Sequence, residues 1–185
     1  KKNNCEVVVL DQPIMDSNIT SMAWQRYYAL DILENSGINY DQVLIVDADT
    51  IVHPNCPNFF ELTNNKYTGV HDGVVYEWVI RSTECYSKLL FNDYKLDVWK
   101  YINGGFQIFN ESHKEHLDYL KQFYLENRER IYQLESTIKL GTDQTPMNFL
   151  LQMRNVDVNI LPYEYNMMGL FLTEGLTDDL VFTDY

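Results

Sequence analysis

Asp47 and Asp49 stand one alanine apart, directly after the apolar run Val43-Leu44-Ile45-Val46. An unpaired carboxylate is costly to desolvate, so a buried strand has no structural use for two at its end. Alternate residues of a strand project to one side, roughly 6–7 Å apart. Both carboxylates are therefore expected to emerge together at the carboxyl end of a parallel strand, the edge where open α/β sheets bind ligands. With no basic residue beside them in sequence, they repel each other unless a positive group intervenes. A hard divalent cation does this, using one or two carboxylates with substrate phosphates and water. The local alternative is an Asx-turn or helix N-cap. The triplet alone is common, arising by chance in about half of chains this long; its place after an apolar strand gives it weight.

Three further segments hold polar groups suited to a ligand. In INGGFQIFN (102–110), Asn103 precedes the paired glycines Gly104 and Gly105. Glycines permit close backbone approach to a ligand, or mark a bulge in a sheet. In GTDQTPMNFLLQ (141–152), Asp143 and Gln144 precede a helical pattern, where an acidic first turn also suits the helix dipole. His71-Asp72-Gly73 ends a strand-like run, and Asp72 either faces a ligand or stabilises its own turn. His53-Pro-Asn-Cys56 offers only two ligands and reads as structural. Trp24, Trp78 and Trp99 read as core, with Trp78, beside Glu77 and Arg81, the one suited to stacking on a sugar.

The elements that must position these groups alternate in type. Strands are expected over 6–10, 43–46, 66–73, 101–110 and 156–162. Helices are expected over 21–35, closed by Ser36-Gly37, and over 57–62, 82–91 and 112–135. Another starts at Thr145-Pro146, read as cap and first-turn proline. VLIV reads as a strand covered on both faces. ENRER (126–130) reads as a solvated helix face. Strand, helix and strand within the first half predict an α/β domain with a mostly parallel, mixed central sheet flanked by helices. The 185 residues suit one domain. The chain lacks an initiator Met and ends just after LVFTDY, so trimming from a longer protein is expected.

The 14 basic against 27 acidic residues argue against nucleic acid as partner. An anionic phosphate ligand would be repelled unless a metal or local cation intervenes. No apolar run approaches the roughly 18 residues of a membrane span, and no signal segment opens the chain. A soluble domain is expected. Cys5, Cys56 and Cys85 are scattered and odd in number, which favours a reducing, cytosolic compartment. The glycosylation-type patterns at Asn18 and Asn110 decide nothing.

VLIVDADTIV resembles two families. In the nucleotide-sugar-dependent glycosyltransferases of the GT-A fold, a Rossmann-like architecture, Asp-x-Asp follows an apolar strand and binds Mn2+ or Mg2+ on the donor diphosphate. In the haloacid-dehalogenase-like phosphatases the first Asp is the nucleophile, but Ile51 stands where Thr or Val is usual, with Thr177-Asp178-Asp179 as a candidate late acidic pair. Three later segments are similar to the glycogenin-like glycosyltransferases, in family order: INGGFQIFN, TDQTPMN (with Met147 where Leu is usual) and LPYEYN (161–166). The resemblance implies a GT-A domain in which Asp47 and Asp49 hold the metal, Asp47 also touching the ribose or a metal-bound water. Asn103, Gly104, Gly105, Asp143 and Gln144 would line the donor sugar.

It further implies transfer of a hexose-type sugar from a nucleoside diphosphate, a UDP-sugar above all, to a hydroxyl of a glycan or glycoprotein. Asp143 or Asp72 would be the base of an inverting enzyme; the glycogenin-like pattern implies retention. Small capsid-glycosylating domains of large algal viruses are similar in compactness. Two features depart from the family: only 46 residues precede Asp47, leaving base contacts to residues 10–26, and no histidine follows His116 to complete the metal site. The readings from other classes are a phosphatase with Asp47 as nucleophile and a non-catalytic sugar-nucleotide-binding module.

Overall fold

The computed structural model describes residues 15–16, 20–72, 75–139 and 141–167; the strand expected over 6–10, Gly73 and the acidic pair at 178–179 lie outside them. Strands β1 (Val43–Val46), β2 (Tyr67–His71), β3 (Ile102–Phe109) and β4 (Val158–Leu161) form one sheet in the order β1-β3-β2-β4. The helices are α1 (Met22–Gln25), α2 (Ala29–Asn35), α3 (Tyr76–Leu90), α4 (Lys114–Ile138) and α5 (Gln144–Met153). The protein is thus an α/β structure with a mixed sheet flanked by helices.

The sheet corrects one expectation. β3 pairs antiparallel with both β1 and β2, and only β2 with β4 is parallel, so among the described residues the sheet is mostly antiparallel. The reason lies in the connection after β2. α3 leaves the end of β2, but residues 91–101 return the chain to that same end. There Ile102 pairs with His71, the Asp72 N–H donates to the Tyr101 carbonyl at 2.9 Å, and Trp78 meets Tyr101 edge-on at 6.4 Å. α3 is therefore no crossover between parallel strands. Because β1, β2 and β4 still run in one direction, their carboxyl ends share an edge with the start of β3. The pairing of β3 with β2 slips in register between Gly69 and His71, the irregularity expected of this glycine-rich stretch.

One sheet face lies under the helices. Trp24, Tyr27 and Leu30, Leu117 and Leu120 of α4, and Phe149 of α5 are buried there with Tyr67, Ile102 and Phe109. The other face buries Val70, Phe106, Ile108 and Leu161 against Phe59, Leu62 and Tyr165. β1 is only partly covered: Val43 and Ile45 pack on the first face, Leu44 on the second, and Val46 is exposed. The expected helix over 21–35 is α1 and α2 joined by a 3-10 turn at Arg26–Tyr28, closed at Gly37 with φ +65°. Trp24 is core as expected, whereas Trp99 is 70% exposed, because it sits in the rim turn Val98–Lys100 ahead of β3. Asn110 is spent as a helix cap, accepting from the Ser112 N–H at 3.0 Å while its own N–H donates to His113 Nδ1 at 3.2 Å. No helix among the described residues is long and apolar enough to cross a membrane.

His116, on α4, is buried against the Tyr67 ring, and neither ring nitrogen has a partner among the described residues. Burial, aided by Arg154 and His113, lowers its pKa from 6.5 to about 3. A depressed histidine pKa contributes stability that is complete above the unfolded value and is lost as pH falls from 6.5 towards 3. Between pH 7 and 5 this one group should remove about 2 kcal/mol. Urea unfolding at both values should show that loss in the native protein and a flatter pH dependence in His116→Leu.

Candidate functional site

The shared edge gathers residues from five places in the chain. Asp47 follows β1 and Asp72 follows β2; Asn103, Gly104 and Gly105 open β3; Asp143 and Gln144 begin α5; Asn166 follows β4. The strand ends at Val46, and the Thr50 N–H donates to the Asp47 carbonyl at 3.1 Å. Asp47 to Thr50 is therefore a turn, so the same-face spacing of a strand does not govern Asp47 and Asp49.

Arg26 is the cation at this edge. Its Nη2 lies 3.1 Å from Asp47 Oδ1, its Nε lies 3.3 Å from Asp143 Oδ2, and its Nη1 donates to the Gly104 carbonyl. The Tyr27 hydroxyl donates to the same Asp143 oxygen at 3.2 Å. Sequence reasoning missed Arg26 because it falls within a helical pattern. A signal was present: it is the only Lys or Arg between Lys2 and Lys66. Arg26 and Tyr27, adjacent in the 3-10 turn Arg26–Tyr28, both bear on Asp143.

A second set of bonds ties the remaining residues together. Gln144 Nε2 donates to Asp72 Oδ2 at 2.6 Å, and Asn103 Nδ2 approaches the same oxygen at 3.4 Å. Gln144 Oε1 accepts from the Gly104 N–H at 2.8 Å and from Asn103 Nδ2 at 3.2 Å. Asn103 Oδ1 accepts from the Gly105 N–H at 2.7 Å and from Asn166 Nδ2 at 3.2 Å. Asp72 thus bonds Gln144 and Asn103. Gln107 Nε2, below, donates to the Gly104 carbonyl at 2.6 Å. A Cβ on Gly105 would overlap the Asp47 carboxylate, so the approach of β3 to that side chain needs glycine.

The start of α5 corrects a second expectation. Asp143, not Thr145, holds the cap position. The Thr145 hydroxyl instead bonds Ser82 Oγ at 2.6 Å and the Tyr101 hydroxyl at 2.7 Å, and Pro146 lies inside the first turn. That arrangement aims Asp143 inward and Gln144 at the sheet edge.

Asp143 is buried, and desolvation pushes its carboxyl above the ordinary range while Arg26 and the Tyr27 hydroxyl pull it back. Burial works against the Arg26 charge too, but Asp143, Tyr27 and Asp47 outweigh it and raise its pKa. Asp49 is exposed and takes part in no ion pair or hydrogen bond among the described residues. The donor set offered to a metal is thus Asp49, with its carboxylate uncommitted, and Asp47, with one oxygen engaged by Arg26. It suits a hard cation that completes its shell with phosphate and water oxygens. No group of three or more His, Cys, Asp or Glu side chains among the described residues is placed to hold a metal.

No protein-family model matches this chain, and no curated protein or solved structure matches it.

Removing the guanidinium should leave Asp143 as an uncompensated buried charge. Arg26→Met should destabilise the protein by about 3 kcal/mol at pH 7. The loss should shrink as pH falls, because a carboxyl with a raised folded pKa regains stability when protonated. Adding Asp143→Asn should recover much of it. Urea denaturation of the three variants at pH 7 and pH 4.5 checks each sign.

Proposed function

We propose that the protein is a metal-dependent glycosyltransferase of the GT-A type, moving a sugar from a nucleoside diphosphate, a UDP-sugar first, to a hydroxyl. One observation carries the reading. Asp47, Asp72, Asn103, Gly104, Gly105, Asp143 and Gln144, drawn from four sequence segments, share one connected set of hydrogen bonds and ion pairs at a sheet edge. A phosphatase centred on Asp47 would account for that residue alone, and its Oδ1 is already engaged by Arg26.

Each residue then has a chemical task. Asp49 and the free oxygen of Asp47 would hold Mn2+ or Mg2+, which when bound stabilises the charge developing on the leaving diphosphate. Arg26, paired with both Asp47 and Asp143, offsets part of the negative charge at this edge and leaves the metal to supply the attraction for a diphosphate. Asn103 Nδ2 and Gln144 Nε2 both point at Asp72 Oδ2. A sugar hydroxyl entering there exchanges into donors and an acceptor already oriented. Asp143, bonded to Arg26 and Tyr27, holds the cation in place; Asp72, half-buried, is the carboxylate better disposed towards an acceptor hydroxyl. Transfer to a glycan or glycoprotein follows from the same reading.

The test is direct. UDP, GDP and dTDP, each at about 100 times a plausible Kd with Mn2+, should raise stability by about 2.7 kcal/mol for the nucleotide that fits. Incubation with the matching sugar nucleotide should release free sugar only when metal is present. Asp49→Asn should lower that rate at least tenfold and leave stability without ligand within about 0.5 kcal/mol, as for an exposed position. Absence of metal-dependent stabilisation by all three nucleotides would sink the reading.

A further inference from the structure

Beside the site stands a group of aromatic side chains that the donor reading leaves without a role. The Trp99 indole, 70% exposed, lies nearly parallel to the His71 ring, with 14° between the planes and 6.5 Å between centroids. The Tyr76 ring approaches the same indole at 5.4 Å, tilted by 54°. All three sit where backbone bonding holds them. Trp99 is in a turn capped by Asp97, whose Oδ1 accepts the Trp99 N–H at 3.1 Å. His71 ends β2 opposite Ile102, and Tyr76 opens α3.

The group is continuous with the proposed site through the backbone. His71 directly precedes Asp72, and the Asp72 N–H is bonded to the carbonyl of Tyr101, two residues after Trp99 and two before Asn103. The turn that carries Trp99 and the end of β2 that carries His71 thus adjoin, along the backbone, the residues that carry Asp72 and Asn103.

What would lie there follows from the chemistry. An exposed indole offers a broad apolar face at small cost in conformational entropy. An apolar partner alone would leave His71 Nε2 and the Tyr76 hydroxyl as they are now, shielded and without hydrogen-bond partners among the described residues. Such orphaned polar groups are uncommon and call for partners. An anion is disfavoured by a net charge of −13. A neutral ring with one C–H face and a hydroxylated rim meets all of these demands.

We propose that Trp99, with His71 and Tyr76, forms a stacking platform for a pyranose ring, so that the acceptor is itself a saccharide. As an acceptor subsite this rests on the glycosyltransferase reading. The platform replaces Trp78, which is partly buried against Tyr101, as the aromatic that meets a sugar.

The test separates the two ideas. Record the indole N–H resonances of the protein, assigned with Trp24→Phe, Trp78→Phe and Trp99→Phe, while adding methyl glucoside, galactoside, mannoside and xyloside and the corresponding disaccharides. The Trp99 signal should move on saturation with one of these. Trp99→Ala should weaken that binding about tenfold, a change of 1.4 kcal/mol, while Trp99→Phe should keep most of it. No movement of the Trp99 signal with any of the sugars overturns the platform, as does an indole already protected from solvent in the free protein. Saccharide binding without stabilisation by any nucleoside diphosphate supports the platform and removes the donor reading. Nucleotide stabilisation without saccharide binding removes the platform alone.

Discussion

Arg26 reaches Asp47 past the end of β1, Asp143 ahead of α5 and the Gly104 carbonyl within β3. Without it, two carboxylates and a carbonyl oxygen would face one another at a partly dehydrated edge, with the Tyr27 hydroxyl and a backbone N–H left to relieve Asp143. Arginine suits the position because its planar fork serves several acceptors at once and stays charged when buried. Lysine would supply one point charge and would more readily lose its proton there. The fold around the site is in this sense organised by a charge that must be balanced.

The direction of β3 explains how so many distant groups meet. Its first residues lie against the last of β1 and β2, so its amides and glycines face the loops in which aspartates emerge. If β3 ran parallel to its neighbours, Asn103 and the two glycines would sit at the opposite end of the sheet. The cost of reversal is the irregular return over residues 91–101. That return also delivers Tyr101 beneath Thr145 and leaves Trp99 on the rim.

Much of this was legible in the chain. The strands at 43–46, 66–73, 101–110 and 156–162 and the long helix after Asn110 follow from apolar periodicity and end signals. The polar residues of the site stood out because carboxylates, amides and paired glycines next to apolar strands have few structural uses. Strand direction did not stand out, because periodicity carries no sense of polarity and a helix between strands is usually a crossover. Arg26 was hidden for a related reason: on a helical pattern a lone cation reads as surface, and only the packing shows two carboxylates waiting for it. Thr145 misled because threonine before proline is good cap chemistry, yet its hydroxyl had partners in Ser82 and Tyr101 that no local pattern reveals.

The bonds of the site also span great lengths of chain. Tyr27 and Asp143 are 116 residues apart, Gln144 and Asp72 are 72 apart, and Arg26 and Gly104 are 78 apart. Each closes a loop whose entropy is repaid only when the intervening elements have docked. A partly folded chain therefore lacks these long-range bonds, and the site is complete only once those elements have docked. A ligand that bound only the assembled edge would therefore act as a clasp on the whole domain, stabilising parts of it far from the point of contact by mass action.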